Sequence, residues 1–165
     1  MPALAVGKKA PDFTLSTMDG KPFSLRDALT RGPVVAAFFK ISCPVCQYAF
    51  PFFERIYKAY GSKNVTIVGI SQNSAKDTGL FVKEYGVTFP VLLDDTDSYP
   101  VSNAYGLTNV PTTFWIDSDG TIEISSVAWV QQEVAEINQK FAETGKTSQQ
   151  PVFLPDESIP AYRPG

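Results

Sequence analysis

From Val34 to Phe39 the chain reads Val-Val-Ala-Ala-Phe-Phe, with Gly32-Pro33 opening the run and Lys40 closing it. A strand with apolar side chains on both faces belongs inside a sheet that is covered on both sides. Val45, Tyr48, Ala49, Phe52, Phe53, Ile56 and Tyr57 then recur at helical spacing as far as Gly61, so a helix follows the strand almost at once. The alternation continues with a strand at 64–70, a helix at 74–86 capped by Ser74 and stopped by Gly86, and a strand within 89–95. A short helical link at 99–106 leads to strands at 111–117 and 121–127, joined by the turn Asp117-Ser118-Asp119-Gly120, and to a helix at 129–143.

Ahead of the buried strand, residues 8–30 read as a hairpin. Phe13 and Leu15 alternate on one arm, Asp19-Gly20 turns, and Phe23 and Leu25 return. Ser24, three residues before Asp27, caps a short helical turn through Leu29. The element order is hairpin, βαβαβ, then ββα, which predicts an α/β fold with a central mixed β-sheet flanked by helices and an N-terminal β-hairpin extension. One domain is expected over 1–143. Residues 144–165 differ, with Pro151, Pro155, Pro160 and Pro164 in the last fifteen, so a non-helical tail lying extended over the surface or hanging free is expected.

Composition narrows the chemistry. The 165 residues contain no histidine and two cysteines, and the net charge is −3. Without histidine there is no Ser-His-Asp triad, Cys-His protease or His-ligated zinc centre, and two cysteines do not close a tetrahedral zinc site. No cofactor or metal is expected. The acidic balance argues against a nucleic-acid partner. No stretch approaches the ~20 apolar residues of a membrane span, and no signal-peptide pattern is seen at the N-terminus, so a cytoplasmic location is expected, or export if a leader has been removed.

Both cysteines fall in Cys43-Pro44-Val45-Cys46, at the junction of the buried strand and the helix. Unpaired N–H groups and a partial positive charge at a helix N-terminus favour a thiolate there, and Pro44 suits the first helical turn. The spacing lets the sulfurs form a disulfide with little backbone movement, so redox chemistry is the expected use of the pair.

This motif resembles that of the thioredoxin-like superfamily, and the resemblance extends over about residues 5–143. Pro51, five residues after Cys46, matches the proline inside the family's active-site helix. Asn109-Val110-Pro111-Thr112-Thr113-Phe114 resembles the cis-proline loop, which implies that Val110 and Pro111 receive the substrate backbone. Ala10-Pro11-Asp12-Phe13 and the later Asp19-Gly20 resemble the redoxin branch, which holds the AhpC/TSA peroxiredoxins and the TlpA/ResA-like oxidoreductases.

The resemblance implies a thiol–disulfide oxidoreductase with Cys43 and Cys46 catalytic, supported by Pro44, Val45 and Pro51; the charge of Lys40 would stabilise a thiolate if it folds toward the site. Its partners would be protein or small-molecule thiols and disulfides, in a monomer or weak homodimer. A peroxiredoxin-like peroxidase with Cys46 as the peroxidatic thiol is the alternative. However, Cys43 then stands where that motif has Thr or Ser, Phe39 stands where it has Pro, and no arginine lies within 111–126. A non-catalytic binding module is a third reading. The positions where relatives place a carboxylate hold Ala37 and Ala49, leaving Glu54 or Asp94 as candidate bases, each more simply a solvated surface charge. Phe50 and Trp115 are candidates to line an apolar substrate groove.

Overall fold

The structure, a computed structural model, describes residues 2–165. β1 (Thr14–Thr17) and β2 (Pro22–Ser24) form the expected hairpin with Leu15 opposite Phe23. The Ser24 side chain accepts the Asp27 amide and so starts α1 (Leu25–Leu29). Every residue of β3 (Val34–Phe39) is buried, as its composition requires. It leads into α2 (Pro44–Tyr60), β4 (Thr66–Ser71), α3 (Ala75–Tyr85) and β5 (Val91–Leu93). α4 (Pro100–Ala104), β6 (Thr112–Ile116), β7 (Ile122–Val127), β8 (Trp129–Val130), α5 (Gln131–Gly145) and β9 (Tyr162–Arg163) complete the order.

Seven strands form one sheet in the order β2-β1-β5-β4-β3-β6-β7. β3, β4 and β5 run parallel, while β6 and β7 continue antiparallel on one side and the hairpin pairs antiparallel with β5 on the other. The hairpin therefore widens the sheet by two strands. Alternate residues of β3 feed two separate cores, Val35, Ala37 and Phe39 on the α2 side and Val34, Ala36 and Phe38 on the other.

The α2 side is unusually aromatic. Phe50 lies with its ring centroid 4.4 Å from Phe39 and within 6 Å of Phe53, Phe81 and Phe89. Gly69 of β4 makes this possible, because a side-chain carbon there would stand 3.2 Å from the Phe50 ring and 3.3 Å from Phe39. Phe50 and Trp115 are 0% and 1% exposed, so neither lines a surface groove as expected; the core claims both.

In the C-terminal region one expectation is corrected and one alternative is decided. The last helix begins at Gln131 instead of 129, because Trp129 and Val130 are drawn into pairing with β9, and it runs on to Gly145. Of the two courses expected for the tail, the structure has it lying over the surface, docked there and not hanging free. Asn138 donates to the Gln150 carbonyl at 2.7 Å, Val152 is buried, and the Trp129 indole donates to the Pro160 carbonyl at 2.8 Å. Arg55 clamps the middle of the tail, its two terminal nitrogens each 2.6 Å from a Glu157 oxygen, while Nη1 also reaches the Val152 carbonyl.

That clamp makes tail docking acid-sensitive. The Arg55 guanidinium, aided by the Leu154 amide, holds the Glu157 carboxyl down from an ordinary 4.5 to about 2. A carboxylate whose folded pKa is depressed contributes fully above its unfolded value, and the contribution fades as pH falls towards the folded one. Trp129 emission is therefore expected to change between pH 4.5 and about 2, as the tail beside it loosens. In Glu157→Gln that acid transition should be missing; a transition identical to the wild type would assign it elsewhere.

Candidate active site

Cys43 closes the loop after β3 in an extended conformation (φ −85°, ψ 112°) and is the N-cap residue of α2. Its sulfur accepts the Cys46 amide at 3.1 Å, which satisfies one of the open donors of the first helical turn. Pro44 takes a first-turn position, where its missing N–H leaves no gap, and Val45 is buried beneath it. The loop is held from both sides. The Ile41 amide donates to Asn73 Oδ1 at 3.0 Å and Gln47 Nε2 donates to the Ile41 carbonyl at 2.9 Å.

The two sulfurs are free thiols in unequal surroundings. Cys43 is partly exposed and Cys46 is 0% exposed. Burial pushes the Cys46 thiol well above the usual thiol range, and its hydrogen bonding with Cys43 pushes it in the same direction. The outer sulfur therefore meets an incoming molecule, while the inner one stays protonated behind it.

Opposite the motif, the Val110–Pro111 peptide bond is cis. Thr112 Oγ1 donates to the Asn109 carbonyl at 2.7 Å and the Ala128 amide donates to the Pro111 carbonyl at 2.8 Å, which shapes this loop from both ends. Cys43 Sγ donates to the Val110 carbonyl at 3.4 Å. The cysteines and the loop 67 residues later thus meet face to face. Beside them, a cleft of about 230 Å³ opens between Lys40, Gln72, Tyr99, Asn109 and Val110.

Other expected participants fall differently. Lys40 is exposed at the rim of this cleft, and its contact with Cys43 is made by its backbone carbonyl, which accepts the Cys43 amide at 3.3 Å. Pro51 lies inside α2. Ala37 and Ala49 are buried in the same apolar cluster as Cys46, so no carboxylate reaches the inner thiol from either position. Glu54 and Asp94 are not solvated charges; both are buried and engaged elsewhere. Glu54 accepts the Thr88 amide at 2.7 Å and the Thr88 hydroxyl, tying α2 to the approach of β5. Asp94 accepts the Ser102 amide at 2.8 Å and the Ser102 hydroxyl at 2.7 Å, anchoring the start of α4.

The sequence reading missed Asn73, Gln47 and Tyr48 around the motif, and above all Arg163 and Gly165 of the tail. Arg163 lies with its guanidinium 4.9 Å from the Tyr48 ring centroid, so an arginine does reach this end of the molecule, from outside the segment searched for one. The four prolines marked the tail as non-helical but carried no signal of where it docks.

A dithiol at a strand-to-helix junction, facing a cis-proline loop across a mixed sheet, defines a thioredoxin-like protein. The comparisons narrow the class: the AhpC/TSA family matches residues 6–125, and the chain belongs to it. It is 35% identical over 122 residues to the thiol-disulfide oxidoreductase ResA of Geobacillus thermodenitrificans, covering 73% of this chain and 68% of the relative. Among solved structures, a thioredoxin family thiol:disulfide interchange protein from Chlorobium tepidum is similar, with 28% identity, TM-score 0.69, and 87% and 99% of the two chains covered. The thioredoxin domain of a thiol-disulfide oxidoreductase from Bacteroides vulgatus shares the fold, with TM-score 0.73 over 84% and 98% of the chains at 24% identity.

Proposed function

We infer that this chain is a thiol–disulfide oxidoreductase in which Cys43 attacks and Cys46 resolves. One observation carries the assignment of roles: Cys43 is partly exposed beside the cis-proline loop, while Cys46 is buried behind it. Cys43 thiolate attacks one sulfur of a substrate disulfide. The substrate S–S bond breaks, its other sulfur leaves as a thiolate and takes a proton from solvent, and a mixed disulfide remains. Cys46 then loses its proton and attacks Cys43 Sγ, so the mixed disulfide breaks, the second substrate thiol is released, and Cys43–Cys46 forms. Two electrons have passed to the substrate. Run in reverse, the oxidised pair forms a disulfide in a substrate dithiol.

The substrates this geometry suits are protein disulfides or dithiols presented on an extended segment, whose backbone lies beside Val110 and Pro111. The peroxidase reading gains no support from the geometry, because its reactive thiol would be Cys46, which no solvent reaches. No helix among the described residues is long and apolar enough to cross a membrane.

Alkylation followed by intact mass across a glutathione or dithiothreitol redox series tests the reading. Both thiols are expected to change together and reversibly, as one two-electron couple. A pair that never titrates would sink the exchanger and leave a binding module. Sustained turnover of excess hydrogen peroxide would favour the peroxidase instead.

A further inference from the structure

The docked tail reaches the active site. β9 lies antiparallel on β8 with Arg163 opposite Trp129, and the Gln131 amide donates to the Ala161 carbonyl at 3.0 Å. This course brings Gly165 onto the cis-proline loop. A side-chain carbon on Gly165 would stand 2.3 Å from the Val110 carbonyl oxygen and 3.0 Å from its carbon, so only glycine fits so close. The same oxygen accepts Cys43 Sγ. On the opposite flank, Arg163 rests on the face of Tyr48, which in turn packs edge-on against Trp129 at 5.0 Å. The strap is thus held between α2 and the cis-proline loop, the two elements that also carry the reacting sulfurs and the surface facing them.

We propose that residues 163–165 determine substrate specificity by covering the Val110 backbone beside Cys43, passing small disulfides to Cys43 while holding back protein disulfides until the strap lifts. The proposal rests on the exchange reading above. An extended protein segment laid beside Cys43 needs backbone space along Val110, and Gly165 occupies that space. A small disulfide needs only access to Cys43, a residue that stays partly exposed with the strap in place. The strap itself is lightly held. Its anchors are the two-residue pairing with β8 and one cation–aromatic contact, and Tyr162 on the same segment is 60% exposed, so it opens locally while the Arg55–Glu157 clamp keeps the rest of the tail in place.

The test compares the intact chain with a deletion of 163–165 and with Gly165→Val, whose side chain has no room beside the Val110 carbonyl. kcat/KM is measured for reduction of insulin and of glutathione disulfide. If the strap is docked in about nine molecules in ten, removing it raises the insulin value about tenfold, because only the open fraction binds protein. Glutathione disulfide is expected to change by less than about twofold, and Gly165→Val to shift the insulin-to-glutathione ratio in the same direction as the deletion. An unchanged ratio in both variants overturns the proposal, as does an equal change on the two substrates, which would mean that the strap acts on thiol reactivity. If the intact chain reduces neither substrate, the exchange reading itself has failed, a result separable from the other two.

Discussion

A Cys46→Ser variant is expected to accumulate covalent mixed disulfides on Cys43, whereas Cys43→Ser should trap nothing and lose exchange by on the order of 10³-fold or more. The asymmetry follows from position. Cys43 caps α2 from a partly exposed position and can be attacked or attack, while Cys46 is sealed beneath it and can reach only Cys43. Removing the inner thiol leaves the first attack possible and abolishes the step that releases the product. Non-reducing electrophoresis and intact mass after incubation with a disulfide substrate would show the adduct, and its partner identifies the substrate. Adducts on Cys43→Ser through Cys46 would reverse the assignment.

The raised Cys46 pKa adds a sign. Resolution needs the Cys46 thiolate, and burial makes that species scarce at neutral pH. The mixed disulfide of the wild type should therefore shorten in lifetime as pH rises, without the plateau near neutrality that a nearby base would produce. No carboxylate occupies position 37 or 49 to supply one.

Phe50→Ala is the substitution expected to destabilise the fold most, by about 3–5 kcal/mol, since a large buried ring is lost and its neighbours cannot all close in. Phe50 is 0% exposed and touches rings from β3, α2, α3 and the loop before β5. Those contacts hold the helix that presents Cys43 and Cys46 against the sheet. In a domain of this size such a loss lowers Tm by roughly 10 °C. Urea unfolding checks it: a change below about 1 kcal/mol would mean the aromatic cluster repacks around the gap. Phe50→Leu should recover a large part of the stability.

Several local features were legible residue by residue. The all-apolar run of β3 demanded a strand covered on both faces. Ser24 and Ser74 announced the starts of α1 and α3, and Gly61 and Gly86 follow the last residues of α2 and α3. The pair Cys43 and Cys46 stood out because its chemistry depends on spacing and on a helix N-terminus, both local properties. Glu54 and Asp94 were misread for the opposite reason. A carboxylate next to a charged residue, Arg55 or Asp95, looks solvated, and nothing local reveals that Thr88 or Ser102 will fold over it.

By itself, then, the sequence determined the α/β order, the redox pair and the absence of histidine chemistry, because periodicity, capping and motif spacing act between residues close in the chain. Only the tertiary structure showed Cys46 fully buried and Val110 in contact with Cys43, placed Glu54 and Asp94 away from Cys46, and returned the proline-rich tail to the active site. Each of those depends on contacts between distant segments, such as Cys43 with Val110, Arg55 with Glu157 and Gly165 with Val110. Such contacts are selected by the shape of the packed sheet and helices, and shape leaves no period in the sequence.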